Sequence, residues 1–297
     1  MKKLISALIV LTLVLALAAP VLASGEPSGP SGEGDDLFAP MTFPADAKIV
    51  SATTYSMYTK KPDSFQDAVI KATLYWDLTN DRVYAIRFLQ PMLPWDDNGV
   101  DMGWACVTDP ALHDQLAAAD ALVTVADGVD YARYLEIGGV VWTGSIGSHP
   151  AAAVAVDYTA EMNGAPVTLN EYCRTQEGGK WYVDAAMQPV KFLTAAENGE
   201  TALEYAITYK ENNGHGVFFW LSDITYPGNI EAIKDFATEY GFGYDFYADG
   251  GFAKNEAGFW ATPDAVTGAT LDEAPTYFDV LKTLYNEIQA GNYVEEN

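Results

Sequence analysis

Near the C-terminal end of this chain stand Asp264-Ala265-Val266-Thr267-Gly268-Ala269-Thr270, two hydroxyls separated by two small residues and preceded by a carboxylate. An amphipathic helix is predicted just after them, from about Pro275 to Ala290. Its apolar stripe is Tyr277, Val280, Leu281, Leu284, Tyr285 and Ile288, and Gly291 ends it. A helix start presents unpaired backbone N–H groups and the positive end of the helix dipole, and both favour a phosphate. Gly268 removes a side chain that would block close approach, and Ala269 keeps the site small. The combination suits a threonine oxygen esterified to a phosphate group. The same residues have a plainer reading, because Thr270-x-x-Glu273 is also a capping box that satisfies N–H groups at a helix start. The two readings are compatible, since a helix cap is where a phosphate would sit.

The string resembles the flavinylation motif of the FMN-binding domain family, Asp-x-x-(Ser/Thr)-Gly-Ala-(Thr/Ser). The resemblance implies that Thr270 carries FMN through a phosphoester bond, with Thr267, Gly268 and Ala269 shaping the turn around the phosphate. Asp264 would be part of what a separate, FAD- and magnesium-dependent flavin transferase recognises. The resemblance covers Trp260 to Ile288, and the strand pair within 68–89 is similar to one in the family. The chain departs from its relatives after the acceptor: they often have Ser or Thr there, whereas Leu271-Asp272-Glu273 follows here. Two acids beside a phosphate carry an electrostatic cost. Phe259 and Trp260, and further upstream Tyr244, Phe246 and Tyr247, are candidates to stack on a flavin ring, though aromatic residues more often fill cores. Family members sit in sodium-pumping NADH:quinone oxidoreductase, in Rnf-type complexes and in extracellular electron-transfer chains, which implies an electron carrier here.

The start of the chain points to export. Lys2 and Lys3 precede an apolar run from Leu4 to Ala19, and Val21-Leu22-Ala23 ends in small residues, the pattern of a signal peptide over 1–23. The run is slightly short for a spanning helix, which needs roughly 20 residues. No cysteine stands at the cleavage site to take a lipid, and no later stretch is long and apolar enough to span a membrane. The mature protein is therefore expected outside the cytoplasmic membrane, secreted or in the cell envelope. Residues 24–36 are rich in Gly, Ser and Pro and end in acid, so 24–44 reads as a disordered linker.

The formal net charge of the 297-residue chain is −25, and loss of Lys2 and Lys3 with the leader makes it −27. Such a surface argues against nucleic acid and anionic lipid as partners. In an oxidising compartment one disulfide is the default for Cys106 and Cys173, although a separation of 67 positions does not show that they meet. No Cys-x-x-Cys supports haem or iron–sulfur ligation, and His113, His149 and His215 lack a second ligand at metal spacing.

Strands are predicted at 68–78 and 82–89 around the turn Thr79-Asn80-Asp81, with Val83, Ala85 and Arg87 on one face. Further strands are predicted at 121–126, 137–142 and 153–162, the last ending at the Asn163-Gly164 turn with 167–174 pairing back. Residues 91–110 read as loop, and Gly144, Gly147 and Pro150 as an irregular break that makes Trp142-Thr143-Gly144-Ser145 a turn. Helices are predicted at 110–120 and 228–240, a short aromatic strand at 217–221, and either state at 200–210. Without a regular β-α-β alternation the fold class is α+β, a mostly antiparallel sheet with packed helices. The expected division is a β-rich subdomain over 45–150 and an FMN-binding subdomain over 151–297, or one domain over 45–297 with an insertion.

Three functions follow as expectations. The first is an exported electron carrier with covalent FMN, matured by a flavin transferase and working between redox proteins or a quinone-linked membrane complex. The second is a reductase, for which no Gly-x-Gly-x-x-Gly fingerprint or catalytic His/Arg set is present. The third is a non-redox secreted binding module in which Thr270 is only a helix cap. No Gly-x-Ser-x-Gly supports a hydrolase.

Overall fold

The computed structural model describes residues 41–61, 64–95, 103–125, 128–149, 152–205, 219–220, 227–244, 253–254, 260–261 and 274–297. The predicted signal peptide and most of the predicted linker lie outside them. The first strands are β1 (Ile49–Lys61), β2 (Ser64–Asp77), β3 (Arg82–Pro91), β4 (Leu122–Thr124) and β5 (Asp130–Ala132). Then come β6 (Tyr134–Ile137), β7 (Val140–His149), β8 (Ala152–Met162), β9 (Ala165–Thr168), β10 (Val190–Leu193) and β11 (Thr201–Tyr205). Short strands complete the set: β12 (Phe219–Trp220), β13 (Ala253–Lys254), β14 (Trp260–Ala261) and β15 (Val294–Glu295). The helices are α1 (Pro110–Ala118), α2 (Leu169–Cys173), α3 (Gln176–Ala186), α4 (Pro227–Tyr240) and α5 (Ala274–Gln289).

Every pairing among these strands is antiparallel. One sheet has the order β12-β3-β2-β1-β15 and another the order β11-β10-β6-β7-β8-β9. The fold is α+β. Both sheets take strands from either side of position 150, and β7 pairs with β8 across it. Residues 34–297 group into one unit.

The β2–β3 hairpin forms where alternating apolar residues meet turn residues. Buried Asp77 accepts from the backbone N–H groups of Thr79 (2.9 Å) and Asn80 (3.2 Å) and from the Asn80 side chain (2.6 Å). Asp81 takes the left-handed conformation at the turn. A register shift between Tyr75 and Trp76 corrects the expected facing of β3. Val83 pairs with Trp76 while Ala85 pairs with Tyr75, so Val83 joins Ile86 and Phe88 on the buried side and Arg87 faces the other way.

β1, not foreseen, doubles this hairpin along its length, Val50 facing Trp76 and Thr59 facing Asp67. Its far edge is closed twice. β15 pairs with Val50 and Ser51. The Gln176 amide stands in for a strand farther on, donating to the Tyr55 carbonyl (2.5 Å) and accepting from the Tyr55 N–H (3.0 Å). Residues 41–44, the end of the expected linker, lie on the sheet: the Phe43 ring sits 5.7 Å from those of Tyr75 and Tyr84.

Other expectations also shift. The strand predicted at 137–142 straddles a turn, because Gly138 and Gly139 both have positive φ and join β6 to β7. The predicted break at Gly144 and Gly147 is instead the middle of β7. A Cβ on Gly144 would stand 2.9 Å from the ring of Tyr158, which crosses there to donate to the Ala132 carbonyl at 2.8 Å. The glycine leaves room for that ring without ending the strand. Residues 167–174 do not pair back in full: β9 ends at Thr168, whose side chain and Glu171 form a capping box that starts α2.

Three helices sandwich the first sheet. α4 packs on β3, α5 on β1 and β2, and α3 on β1 and β2 from the opposite face, where Lys71, Tyr55 and two α3 side chains, Lys180 and Asp184, interact. The core is continuous through both sheets, with Phe88, Leu135, Trp142, Tyr182 and Phe192 each fully buried. No helix among the described residues is long and apolar enough to cross a membrane.

Candidate functional site

Asp264, Thr267, Gly268, Ala269 and Thr270 lie outside the described residues, as does the capping-box partner Glu273. What is described is the frame on either side. Ahead of the motif, β13 and β14 pair as Ala253 with Ala261 and Lys254 with Trp260. After it, α5 begins at Ala274, four positions beyond Thr270.

The sequence makes α5 a helix by spacing alone. Tyr277, Phe278, Leu281, Leu284 and Ile288 all fall on one side and are buried, and Val280 and Tyr285 flank them. Burial of each such side chain is worth about 1.5–3 kcal/mol. The stripe matches the predicted one with Phe278 added, because a helix pressed on a sheet and on α4 buries more than a single seam. Gly291, with φ +85°, ends the last turn.

The first turn of α5 is fixed by a polar contact that the sequence pattern did not flag. The Tyr277 hydroxyl donates to Oε1 of Gln90 at 2.9 Å, in a buried setting, and its ring meets that of Phe88 edge-on at 5.3 Å. Gln90 sits on β3 and is only 4 % exposed. An amide in that position needs its partner, since a buried polar group left unbonded costs about 1–3 kcal/mol. The helix that follows the Thr270 motif is thus pinned to the sheet by apolar burial and by one directional bond. The visible signal was slight: a lone Gln before Pro91 in an otherwise apolar run.

Around this helix the aromatic residues pack on one another. Trp76 lies 5.0 Å from Tyr285 and 6.2 Å from Phe242, and Phe236 lies 5.6 Å from Phe278. Tyr244, one of the candidate flavin-stacking residues, packs edge-on against Phe236 at 5.1 Å and against Tyr240 at 5.6 Å. Its ring is part of this cluster. Trp260 gives its backbone to β14, and Phe246, Tyr247 and Phe259 lie outside the described residues.

The remaining sequence candidates are apart from this frame. Cys106, half-buried, and Cys173, buried, form no disulfide, so the default pairing is not made. Burial pushes the Cys106 thiol up, and the neighbouring Asp130 carboxylate adds to the shift, which lowers its thiolate fraction. His113 Nε2 lies 2.8 Å from Asp130 Oδ2, and Thr124 donates to the other oxygen at 2.5 Å. Asp130 thereby ties α1 to the β4–β5 hairpin. His149 lies in β7, and His215 is outside the described residues. Among the described residues no three His, Cys, Asp or Glu side chains gather in a way that could hold a metal ion.

Comparison of the chain with protein-family models, with curated proteins and with solved structures gave no match.

Proposed function

We propose that this chain is an exported flavoprotein that carries FMN covalently on Thr270 and serves as an electron carrier outside the cytoplasmic membrane. One observation carries the reading: the motif Asp264-x-x-Thr267-Gly268-Ala269-Thr270 stands four positions ahead of a long helix anchored to a sheet. The donor set fits the group chemically. It offers a hydroxyl to esterify, two small residues that leave room for a phosphate, and a following helix whose dipole favours the anion.

Attachment requires FAD and a transferase. The Thr270 oxygen would form a new bond to the FMN phosphorus, the pyrophosphate bond of FAD would break, AMP would leave, and the hydroxyl proton would pass to the transferase. Bound flavin supplies reversible electron transfer, while the protein supplies attachment, surroundings and a docking surface. An ester bond also keeps the cofactor from diffusing away, which matters outside a cell. The partners would be the transferase, then a redox donor and an acceptor, soluble or linked to a quinone-reducing membrane complex.

A second reading rests on the capping box Thr270-x-x-Glu273. There Thr270 only satisfies backbone N–H groups, and the acidic, aromatic-rich chain is a non-redox binding module. Intact mass and in-gel flavin fluorescence after denaturation separate the two, on mature protein co-expressed with a flavin transferase. A gain of one FMN less one water, absent in Thr270→Ala, is the expected result. No adduct, with the transferase active on a control substrate, sinks the flavoprotein reading and leaves the cap.

A further inference from the structure

The outer edge of β1 is held by residues 294–297, and held lightly. In this strand the odd-numbered residues point their backbone groups away from β2: the Lys48 carbonyl accepts from the Leu78 N–H at 2.9 Å, whereas the Ile49 carbonyl accepts from the Glu296 N–H at 3.0 Å. The Ile49 N–H donates to Oδ1 of Asn297 at 3.0 Å, as it would to a neighbouring strand. Ser51 stands opposite Val294, and its hydroxyl donates to Oε1 of Glu296 at 2.5 Å. The Asn297 amide also donates to the carbonyls of Pro44 (2.9 Å) and Ala47 (2.7 Å), so the same residues tie down the segment that leads into β1.

These contacts are polar and near the surface. Val294 is 63 % exposed, and the Lys48–Glu295 pair (2.7 Å) is about half-exposed on both sides, where an ion pair adds little. Of residues 292–297, Tyr293 leans on the core. A segment with so little apolar burial opens at a lower free energy than the sheet beneath it. Beneath it lies Ile49-Val50-Ser51-Ala52-Thr53, a stretch with no charge and no proline. Such an edge is a template for another strand. Thr53 is exposed, and its outward backbone groups make no bond among the described residues. The Gln176 clasp begins only at Tyr55.

We propose that residues 294–297 are a releasable strap that keeps β1 from pairing with the β1 of a second copy of this chain. When the strap lifts, the outward groups of Ile49, Ser51 and Thr53 face solvent together. Antiparallel pairing centred on Ser51 sets Ile49 of each copy opposite Thr53 of the other, so the edge is complementary to itself. The strap pairs antiparallel there, which shows that the edge takes a strand in that direction. A net charge of −25 drives copies apart elsewhere, whereas this stretch is uncharged. With the strap in place, Glu295 and Glu296 lay acid along it. This inference does not depend on what Thr270 carries.

Amide exchange and sedimentation on the mature protein test it. In the wild type the outward amides of Ile49 and Ser51 should exchange faster than the inward amides of Val50 and Ala52, which are bonded toward β2. Glu296→Ala with Asn297→Ala removes the side-chain bonds of the strap and should speed Ile49 and Ser51 about tenfold further. At raised concentration this double variant should form a dimer in excess of any formed by the wild type. Thr53→Pro takes away an outward N–H without touching the β1–β2 ladder, so adding it should abolish that dimer. Equal exchange of outward and inward amides in the wild type would overturn the proposal. So would association no greater than that of the wild type, or a dimer that survives Thr53→Pro. A double variant that fails to fold by circular dichroism overturns it too, because a strap that can lift cannot be what holds the fold.

Discussion

Two helices grip opposite faces of one five-stranded sheet, and they do so by different means. α5 lays a continuous apolar stripe on Leu74, Trp76 and the rest of the buried side, and Tyr277 gives it a polar anchor on Gln90. α3 sits over a face of Thr, Lys, Arg and Tyr side chains. It is held by Tyr182, whose hydroxyl donates to the Met92 carbonyl at 2.5 Å, by the Thr175 cap and by the Gln176 clasp on β1. Helix–sheet docking can thus rest on area or on fit. Area tolerates small errors in position. Fit does not, and it leaves polar groups available for other uses.

Four changes probe that contrast, in descending order of expected effect. Leu281→Ala removes a fully buried side chain under α5 and should cost about 2–5 kcal/mol in denaturant unfolding. A cost below ~1 kcal/mol would show that α5 is not held by area. Gly179→Ala tests fit under α3. An exposed helical glycine is normally improved by alanine by roughly 1 kcal/mol. Here the new Cβ would stand 2.9 Å from Tyr55 Cβ, so a net loss of about 1–3 kcal/mol is expected. Stabilisation instead would mean that α3 rides loosely. Tyr277→Phe strips the anchor from Gln90 and should cost about 1 kcal/mol or somewhat more, with spectra unchanged. Lys180→Ala removes an exposed pair with Asp184 and should leave the unfolding midpoint where it was.

A pH titration adds a check on the hairpin beneath both helices. Burial alone would raise the Asp77 carboxyl, but bonds from Asn80 and Thr79 and the nearby Arg82 outweigh it and hold it below the usual carboxylate range. A lowered folded pKa contributes stability above the unfolded value, about 3.9. That stability is lost as pH falls through the folded value. Acid unfolding should therefore show a component that Asp77→Asn removes, and identical acid limbs would exclude it.

How much was legible follows the same division. α4, α5, α1 and the β2–β3 pair were readable because each satisfies its pattern within its own residues: a stripe at helical spacing, a Pro after a capping Asp, an alternation broken by turn residues. β1 was missed because its Ser, Thr and Tyr residues carry no apolar contrast, and its role comes from pairing with β2. α3 was hidden by Gly178-Gly179, which lower helix propensity and are tolerated only because Tyr172 and Tyr55 press against them. The β3 bulge reversed the facing of Val83 relative to Arg87, and nothing in a single strand announces a bulge made with its partner.

By itself the sequence determined the α+β class, the amphipathic helix after the Thr270 motif and the acidic character of the chain. Each depends on local spacing or composition. Only the tertiary structure decided that Gln90 anchors Tyr277, that Cys106 and Cys173 form no disulfide, and that Lys71 and Arg87 share the face of the sheet that α3 covers. Those groupings join residues from different strands and helices, and strand register and helix docking alone bring them within reach of one another.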